Sequence, residues 1–261
     1  MSTSVHAAPV PSPTPAPPHV LDNAAWAALT GPHAHLAERV GRAVRYPTDV
    51  SPFTALADPA DPRAWDDLAA LVGPGAVTPV TAVRAVPDGW TIEHSGDGVQ
   101  LTATALHSEP APEAVRLGLA EVPEILDLIA LTRPGPFLPR TVELGTYLGI
   151  REGGQLIALA GERLRPPGWT EISAVCTHPG HRGRGLATRL VRAVAAGIRE
   201  RGDIPFLHAA ADNTNAIRLY ESIGFTLRRR TRFVLVRTPG GQRTVSAARE
   251  EAGQPEEKTR P

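Results

Sequence analysis

Apolar residues recur at four-residue spacing from Leu186 to Ile198, which predicts an amphipathic helix that ends near Gly202. The apolar runs on either side of this helix are too short for helices and are typical of buried strands. The predicted order is strand Ile172–Thr177, the helix from Leu186, strand Phe206–Ala211, short helix Ala216–Ile223 with Gly224 after it, and strand Phe225–Arg237.

The region before these elements also shows regular patterns. It predicts strand Val115–Leu119, helix Val122–Leu131 and a hairpin of Tyr147–Glu152 with Leu156–Leu164 around Gly153-Gly154. Further upstream, the pattern predicts a helix with Trp26 capped by Asn23, a second helix with Leu36, Val40 and Val44 on one face, a third helix from Asp61-Pro62, strands Ala76–Val83 and Val99–Ala105, and a hairpin turn at Asp97-Gly98.

Composition shifts divide the chain. Residues 1–19 are rich in Pro, Ala and Ser and predict a disordered arm, and residues 238–261 predict a disordered tail. A proline-containing linker at His107–Pro112 separates an N-terminal α/β domain, residues 20–108, from a second domain, residues 112–237. The first domain carries no recognisable chemistry, so its role is open.

Charge and cysteine content narrow the function. Lys and Arg number 27, as do Asp and Glu, so no overall field favours nucleic acid or an anionic membrane. Cys176 is the only cysteine, which excludes an internal disulfide and fits a reducing cytoplasm. No run of about eighteen apolar residues predicts a membrane span. We therefore expect a cytoplasmic protein whose partners include neither nucleic acid nor membrane.

The turn between strand and helix carries the most specific chemistry. His181, Arg182 and Arg184 supply side-chain donors, and Gly183 and Gly185 let the backbone approach a bulky ligand. The helix N-terminus adds partial positive charge, so the segment predicts a pyrophosphate cradle. A Walker loop is excluded because Lys258 is the only lysine, and a Rossmann fingerprint would need glycine at Thr188. The alternative is a Gly/Arg turn that binds nothing.

Two motifs in order carry a family resemblance. Arg182-Gly183-Arg184-Gly185-Leu186-Ala187 is followed by Asn213-x-x-Ala216-x-x-x-Tyr220-x-x-x-Gly224-Phe225. Together they resemble the GNAT superfamily of N-acetyltransferases, in particular the branch that includes the glycine N-acyltransferase C-terminal domain. The resemblance covers Glu113 to Arg237, about half of the chain. It implies an α/β fold with a mixed, mostly antiparallel, splayed sheet flanked by helices. The first half looks like a degenerate GNAT-like half.

The resemblance also implies a co-substrate and its site. Acetyl-CoA is the expected acyl donor, an unidentified primary amine is the acceptor, and transfer is direct within a ternary complex. His178 and His181 flank the turn and are more typical of phosphate or solvent contact than of metal binding, so no metal is expected. The implied cofactor-binding residues are Val175, Cys176, Thr177, His181, Arg182, Gly183, Arg184, Gly185, Leu186, Ala187 and Asn213.

Two residues have implied catalytic roles. Tyr220 occupies the family position of the acid that protonates the leaving thiolate, and Glu171 that of a base acting through water. Glu162, on the neighbouring strand, is the other candidate base. For each carboxylate the alternative is an ion pair with a nearby arginine such as Arg163 or Arg165. An amine that binds already deprotonated needs no base. The alternative for Tyr220 is that it only packs its short helix against the sheet. The alternative for Asn213 is that its side chain only caps that helix. Cys176 lacks the partners of an acyl-enzyme nucleophile and reads as apolar filler.

Three functions stay open at this point. The first is the N-acetyltransferase just described. The second is a non-catalytic acyl-CoA-sensing module that keeps the phosphate turn and lacks the acid and base. The third is an acyltransferase with another acyl group or with an amino-acid acceptor. The presence of Tyr220 favours an enzyme over a sensor.

Overall fold

The computed structural model of the protein describes residues 19–83 and 85–240. The predicted arm lies outside this part except for His19, and the predicted tail lies outside it from residue 241 onward. The strands are β1 (Glu38–Val40), β2 (Ala43–Arg45), β3 (Thr54–Leu56), β4 (Val77–Val80), β5 (Thr91–Ala103), β6 (Val115–Leu117), β7 (Tyr147–Glu152), β8 (Gln155–Glu162), β9 (Trp169–Thr177), β10 (Ile204–Ala210) and β11 (Phe225–Arg237). The helices are α1 (Ala24–Leu29), α2 (Pro62–Val72), α3 (Val122–Thr132), α4 (Leu186–Glu200) and α5 (Thr214–Ser222).

These strands join in one sheet with the order β1-β2-β3-β4-β11-β5-β10-β9-β8-β7-β6. Neighbours run antiparallel except for β3 with β4 and β9 with β10. The mixed, mostly antiparallel sheet flanked by helices confirms the predicted fold class. β5 comes from the first half of the chain and lies between β10 and β11 of the second half. The two halves therefore share one sheet.

Helices cover both faces of the sheet. Leu207 of β10 packs in the core under α4, whereas its neighbour Phe206 packs in the core that contains α1. Because successive residues of a strand point to opposite faces, α1 and α4 lie on opposite faces of the sheet. We call these the α1 face and the α4 face. α5 contributes Tyr220 to the core on the α4 face.

The local signals in the second half predict its elements closely. α4 begins at Leu186 as its apolar spacing predicts, and β11 spans the predicted Phe225–Arg237. In the first half, α2 begins after Asp61, whose Oδ1 accepts the backbone N–H of Arg63 at 3.1 Å as an N-cap. Asn23 precedes α1 but its side chain does not cap the helix, and its Nδ2 donates to the carbonyl of Leu56 at 2.7 Å.

Besides the missing Asn23 cap, two further predictions for the first half are wrong. The segment predicted as a helix with Leu36, Val40 and Val44 on one face is not helical beyond a short 3-10 turn at Ala34–Leu36. Val40 and Val44 lie in the hairpin β1–β2, which turns at Gly41, and β2 then pairs with β3. Asp97-Gly98 makes no hairpin turn and lies inside β5, where pairing with β11 runs through both residues. A Cβ at Gly98 would come within 2.4 Å of the Phe233 ring, so this glycine makes room for an aromatic ring across the strand pair.

Candidate active site

The groove between β9 and β10 is created by the way these two strands pair. They pair in parallel only along Trp169–Glu171 and Ile204–Phe206. Beyond that point β9 continues beside β8 and β10 continues beside β5. The strands diverge, and a groove of about 810 Å³ opens between them. The predicted splayed sheet is present, and the groove-side backbone groups of both strands lack a sheet partner.

A β-bulge helps to turn β9 away from its neighbour. Ala174 and Val175 lie opposite the single residue Ala160 of β8. Ala174 adopts a φ of +55°, which a residue with a Cβ seldom does and which costs on the order of 1–3 kcal/mol. Bulges bend a strand and increase its twist. Strain of this kind is often kept where a ligand binds, and Ala174 lines the groove.

The predicted phosphate turn lies at the open end of this groove. Gly183 and Gly185 have φ values of +77° and +71°, and a Cβ on either would meet open space. Gly185 precedes α4 without a side-chain cap, so the N–H groups of the first helical turn are available to a ligand. All predicted cofactor-binding residues line the groove: Val175, Cys176, Thr177, His181, Arg182, Gly183, Arg184, Gly185, Leu186, Ala187 and Asn213.

Glu152, at the end of β7, partly neutralises the turn. Its carboxylate accepts from Arg184 Nη1 at 2.8 Å and lies 2.8 Å from His181 Nδ1. The hydrogen bond from Arg184 is the main reason that the pKa of Glu152 lies below its ordinary value. Arg182 is more weakly held, since its Nε reaches the Thr177 carbonyl at 3.4 Å. Arg182 is therefore the less engaged of the two arginines.

Tyr220 lines the groove from the α4 face. Its side chain is 8% exposed, and burial, followed by the Cys176 thiol nearby, raises the pKa of Tyr220 to about 12. The phenol therefore keeps its proton at neutral pH. Burial also raises the pKa of Cys176 to about 11, so this thiol is not ionised there. A protonated, buried Cys176 fits the interpretation of the residue as apolar filler.

Asn213 joins the groove to the start of α5. Its Oδ1 accepts the backbone N–H of Ala216 at 3.2 Å, which makes it the N-cap of that helix. The residue also lines the groove. Its Nδ2 has no partner in the described chain, so capping leaves a donor for a ligand.

Glu171 lies where β9 and β10 part, and its carboxylate is fully engaged. It is 0% exposed and accepts from Arg163 Nε at 2.9 Å and Nη2 at 2.7 Å. His208 Nδ1 lies 2.7 Å from Glu171 Oε1. Burial alone would raise the pKa of Glu171, but the charge of Arg163 and the hydrogen bonds from Arg163 and His208 hold it far below its ordinary value. This geometry favours an orienting role for Glu171 over direct proton acceptance.

A chain of hydrogen bonds continues from His208 to the first half. Gln100 Nε2 lies 3.0 Å from His208 Nε2 and donates to the Leu21 carbonyl at 2.9 Å. Gln100 Oε1 accepts from Arg228 Nη1 at 2.6 Å, which fixes the orientation of the amide. The amide then donates to His208 Nε2, and His208 donates its Nδ1–H to Glu171. The network assigns this neutral tautomer to His208.

Glu162 does not reach the groove. Its carboxylate is buried and pairs with Arg201 Nη2 at 2.7 Å. It lines neither the groove nor the second cavity described below. Both carboxylates form the ion pair with a nearby arginine that was the alternative to a base role, Glu171 with Arg163 and Glu162 with Arg201. Arg165 pairs with Asp203 instead. Glu171 is therefore the better placed of the two carboxylates.

Sequence reasoning missed His208, Gln100 and Arg228. They come from three strands that meet only in the folded sheet, and none stands in a recognisable motif. The signal that was available is the single histidine in the otherwise apolar run Phe206–Ala211. Residues 19–83 and 85–240 contain no group of three or more potential metal ligands. The same part of the chain contains no helix long and apolar enough to cross a membrane.

A splayed sheet with a Gly/Arg turn at the end of one diverging strand defines the class of protein that the sequence resembles. The family model described as FR47-like protein matches residues 147–234. A protein of the GNAT family from Novosphingobium aromaticivorans, with a known crystal structure, is 39% identical with a TM-score of 0.77. The match covers 84% of this chain and 98% of that one. The chain belongs to the GNAT family.

Two curated relatives match over part of their length. The N-alpha-acetyltransferase RimI of Mycobacterium tuberculosis is 39% identical over 90 residues, 32% of this chain and 56% of the relative. An uncharacterised protein of Mycobacterium leprae is 32% identical over 210 residues, 71% of this chain and 55% of that protein. The chain thus spans just over half the length of each. The RimI match supports the superfamily, and the glycine N-acyltransferase branch stays a prediction.

Proposed function

We propose that the protein is an N-acetyltransferase that moves the acetyl group of acetyl-CoA to a primary amine in a ternary complex. The observation that carries this proposal is the groove itself. β9 and β10 part at Glu171, and the Gly/Arg turn follows directly on the end of β9. An extended thioester with a pyrophosphate at one end fits a groove with backbone groups along its wall and anion donors at its mouth. We place the protein in the cytoplasm because its lone cysteine fits a reducing compartment.

Different parts of the groove would bind different parts of acetyl-CoA. The unpaired backbone groups of β9 beyond Ser173 would bind the pantetheine arm as a neighbouring strand does. Arg182, the glycines and the first N–H groups of α4 would bind the pyrophosphate. Open space next to Gly183 and Gly185 fits this role, because a larger residue there would project into the cradle. Asn213 Nδ2 is a further donor toward the cofactor.

The reaction forms one bond and breaks one. The free amine attacks the thioester carbonyl carbon, a C–N bond forms, the C–S bond breaks, and CoA departs as a thiolate. The amine loses one proton and the thiolate gains one, so no oxidant or reductant is needed. Tyr220 retains its proton at neutral pH, and we assign it as the donor to the departing sulfur. This assignment fits its place between the groove and the α4-face core.

The proton that the amine loses must also leave the reacting centre. Glu171 is the base that the family resemblance implies, but its carboxylate is already bound by Arg163 and His208. Arg163 and His208 both line the groove, and Arg163 already gives its Nε and Nη2 donors to Glu171, so we propose that Glu171 acts by orienting His208 beside the reacting centre. An acceptor amine that binds already deprotonated would need no base and would need only the polar contact with His208. Glu162 is disfavoured because it is buried against Arg201, away from the groove.

The finer choices concern the acceptor and the acyl group. The Mycobacterium tuberculosis relative is named as an N-alpha-acetyltransferase, which supports an α-amine as acceptor. The glycine N-acyltransferase resemblance supports an amino acid. A sensor without catalysis is disfavoured because a protonated Tyr220 lines the groove beside the diverging strand.

Thiol release from acetyl-CoA with a panel of amines tests the proposal. We expect amine-dependent release from the wild-type protein and a fall in kcat of at least about tenfold in Tyr220→Phe, from the usual worth of general-acid help. Acetyl-CoA affinity should change little, because the ring and its packing remain. Better thiol leaving groups should partly restore the rate.

Tyr147→Phe is the matched control. The Tyr147 hydroxyl is buried, has no hydrogen-bond partner among residues 19–83 and 85–240, and lies outside the groove, so its loss should leave kcat unchanged. A folded Tyr220→Phe variant with the kcat of Tyr147→Phe would remove the acid role, provided a single-turnover measurement shows that chemistry limits the rate. Bound acetyl-CoA with no release for any amine would favour the sensor.

A further inference from the structure

A second cavity of about 390 Å³ opens beside the groove. Both halves of the chain line it, since Leu21–Ala25 and Thr81–Val83 face Arg229–Phe233 of β11. Phe53, Arg163, His208 and Phe233 line both this cavity and the groove, so the two spaces are contiguous. We call the second space the side cavity. It reaches the point where β9 and β10 part.

Strand pairing explains why this space exists. β4 pairs with β11 from Val77–Val80 to Val234–Arg237, and the pairing ends at Val80 with Val234. The chain after β4 then departs from β11, so residues 229–233 have a sheet partner only on the β5 side. The side cavity occupies this opening. It therefore provides a route to the reacting centre that is separate from the phosphate turn.

The one carboxylate-bearing residue that lines the side cavity, in the described part of the chain, is already engaged. Asp22 Oδ1 accepts from Arg228 Nη2 and from Arg229 Nη1, each at 2.7 Å. Its Oδ2 accepts the backbone N–H of His19 at 3.0 Å. Burial would raise the pKa of Asp22, but these hydrogen bonds lower it. No carboxylate is left to bind a cationic ligand.

Positive donors, in contrast, are in excess. Asp22 neutralises one of the two charges of Arg228 and Arg229, and Glu171 neutralises Arg163. Arg229 uses Nη1 on Asp22, and its Nε and Nη2 have no partner among the described residues. Its side chain is 34% exposed. Guanidinium groups bind carboxylate and phosphate oxygens well because their N–H groups form a planar fork.

We propose that the side cavity binds the amine acceptor and that this acceptor carries an anionic group, a carboxylate or a phosphate ester, which Arg229 binds. The amine would then enter the groove beside His208, opposite the cofactor. This inference rests on the proposed function and adds the chemical class of the acceptor. Polyamines and other cationic amines would meet net positive charge and no free carboxylate. Apolar walls such as Leu21, Phe53 and Phe233 would hold a short carbon chain between the two ends.

Matched acceptor pairs test the proposal. Glycine is compared with glycinamide and phosphoethanolamine with ethanolamine, each by thiol release from acetyl-CoA. We expect the anionic member of at least one pair to have a kcat/KM at least about tenfold higher, the size of one charge-assisted contact. The two pairs distinguish carboxylate from phosphate. The less basic amine of glycinamide has the larger free fraction, so its own reactivity opposes the expected result.

Variants on β11 identify the contact. Arg229→Gln should raise KM for the anionic acceptor at least about tenfold and leave the neutral one unchanged, and Arg229→Lys should restore part of the preference. Arg237→Gln, on the same strand outside the side cavity, is the control. Melting curves establish that each variant is folded.

Equal kcat/KM within both pairs, or equal loss for both members in Arg229→Gln, would overturn the proposal. So would acetylation of peptide N-termini regardless of their charge with no reaction of either anionic amine. In those cases acetyl-CoA binding and acetyl transfer would still support the proposed function. If the wild-type protein does not bind acetyl-CoA, that result would instead contradict the proposed function itself.

Discussion

The two halves of this chain differ in how they contribute to one site. The second half holds the phosphate turn, Tyr220 and Asn213 in segments whose roles follow from local sequence. The first half contributes no motif, yet its strand β5 lies in the middle of the sheet and its residues line the side cavity. A motif can be read from a few neighbouring residues, whereas a strand inserted from a distant segment cannot. The absence of a motif is therefore a poor guide to whether a segment belongs to the site.

The comparison is tested most strongly by separating the halves. A domain boundary near residues 108–112 predicts that a chain beginning at Ala111 folds alone and binds CoA. The shared sheet predicts the opposite, because β10 and β11 would lose β5, the strand between them. We expect residues 111–261 alone to show no cooperative melting by circular dichroism.

Trimming the ends provides the control for this experiment. A chain of residues 19–240 keeps every described element and should melt cooperatively. Mixing residues 1–110 with residues 111–261 should restore a cooperative transition if β5 completes the sheet in trans. Cooperative melting and CoA binding by residues 111–261 alone would instead support two independent domains.

Acid should weaken both halves together through His33. This buried ring lies 2.9 Å from the Tyr46 hydroxyl, and burial, followed by the charges of His35 and Arg165, lowers the pKa of His33 to about 4. Between pH 6.5 and 4 the unfolded chain binds a proton at this position and the folded chain does not. The free energy of unfolding should therefore fall as the pH falls, by up to about 3 kcal/mol at 1.36 kcal/mol per pKa unit.

His33→Gln separates this effect from other titrations. Glutamine does not titrate and can still bond the Tyr46 hydroxyl, so the variant should lose most of the pH dependence in this window. Urea melts at pH 7, 5.5 and 4.5 measure it. If the halves form one cooperative unit, signals from Trp26 in the first half and from bound CoA at the groove should change together. Unchanged pH dependence in His33→Gln would contradict the proposed titration, and two separate transitions would contradict a single unit.

The helices and strands of the second half and the phosphate turn can be predicted from the sequence, because both depend on residues that are close together in the chain. The apolar spacing of α4 and the glycines of the turn act within a few residues of each other. The hairpin β1–β2 was missed, and β5 was predicted only over Val99–Ala105, because pairing partners decide where these strands form and how far they extend. The hydrogen bonds among Glu171, His208 and Gln100 likewise join residues up to 108 positions apart, and no local pattern encodes such a register. The spacing of residues along the chain does not show which strands pair. The part of the site that depends on strand pairing was therefore not predicted.

The smallest expected effect concerns the phosphate turn alone. Gly185 and Gly202 flank the two ends of α4, with φ values of +71° and +82°, and a Cβ on either would meet no atom within 4 Å. Valine is strained at both positions, so Gly185→Val and Gly202→Val should lower Tm by similar amounts. Only Gly185 lines the groove. Gly185→Val should therefore weaken acetyl-CoA binding at least about tenfold, roughly 1.4 kcal/mol by calorimetry, while Gly202→Val leaves affinity unchanged. Equal affinity in both folded variants would show that the turn tolerates a side chain where the pyrophosphate is proposed to lie, and the cradle would have to be sought elsewhere along the groove.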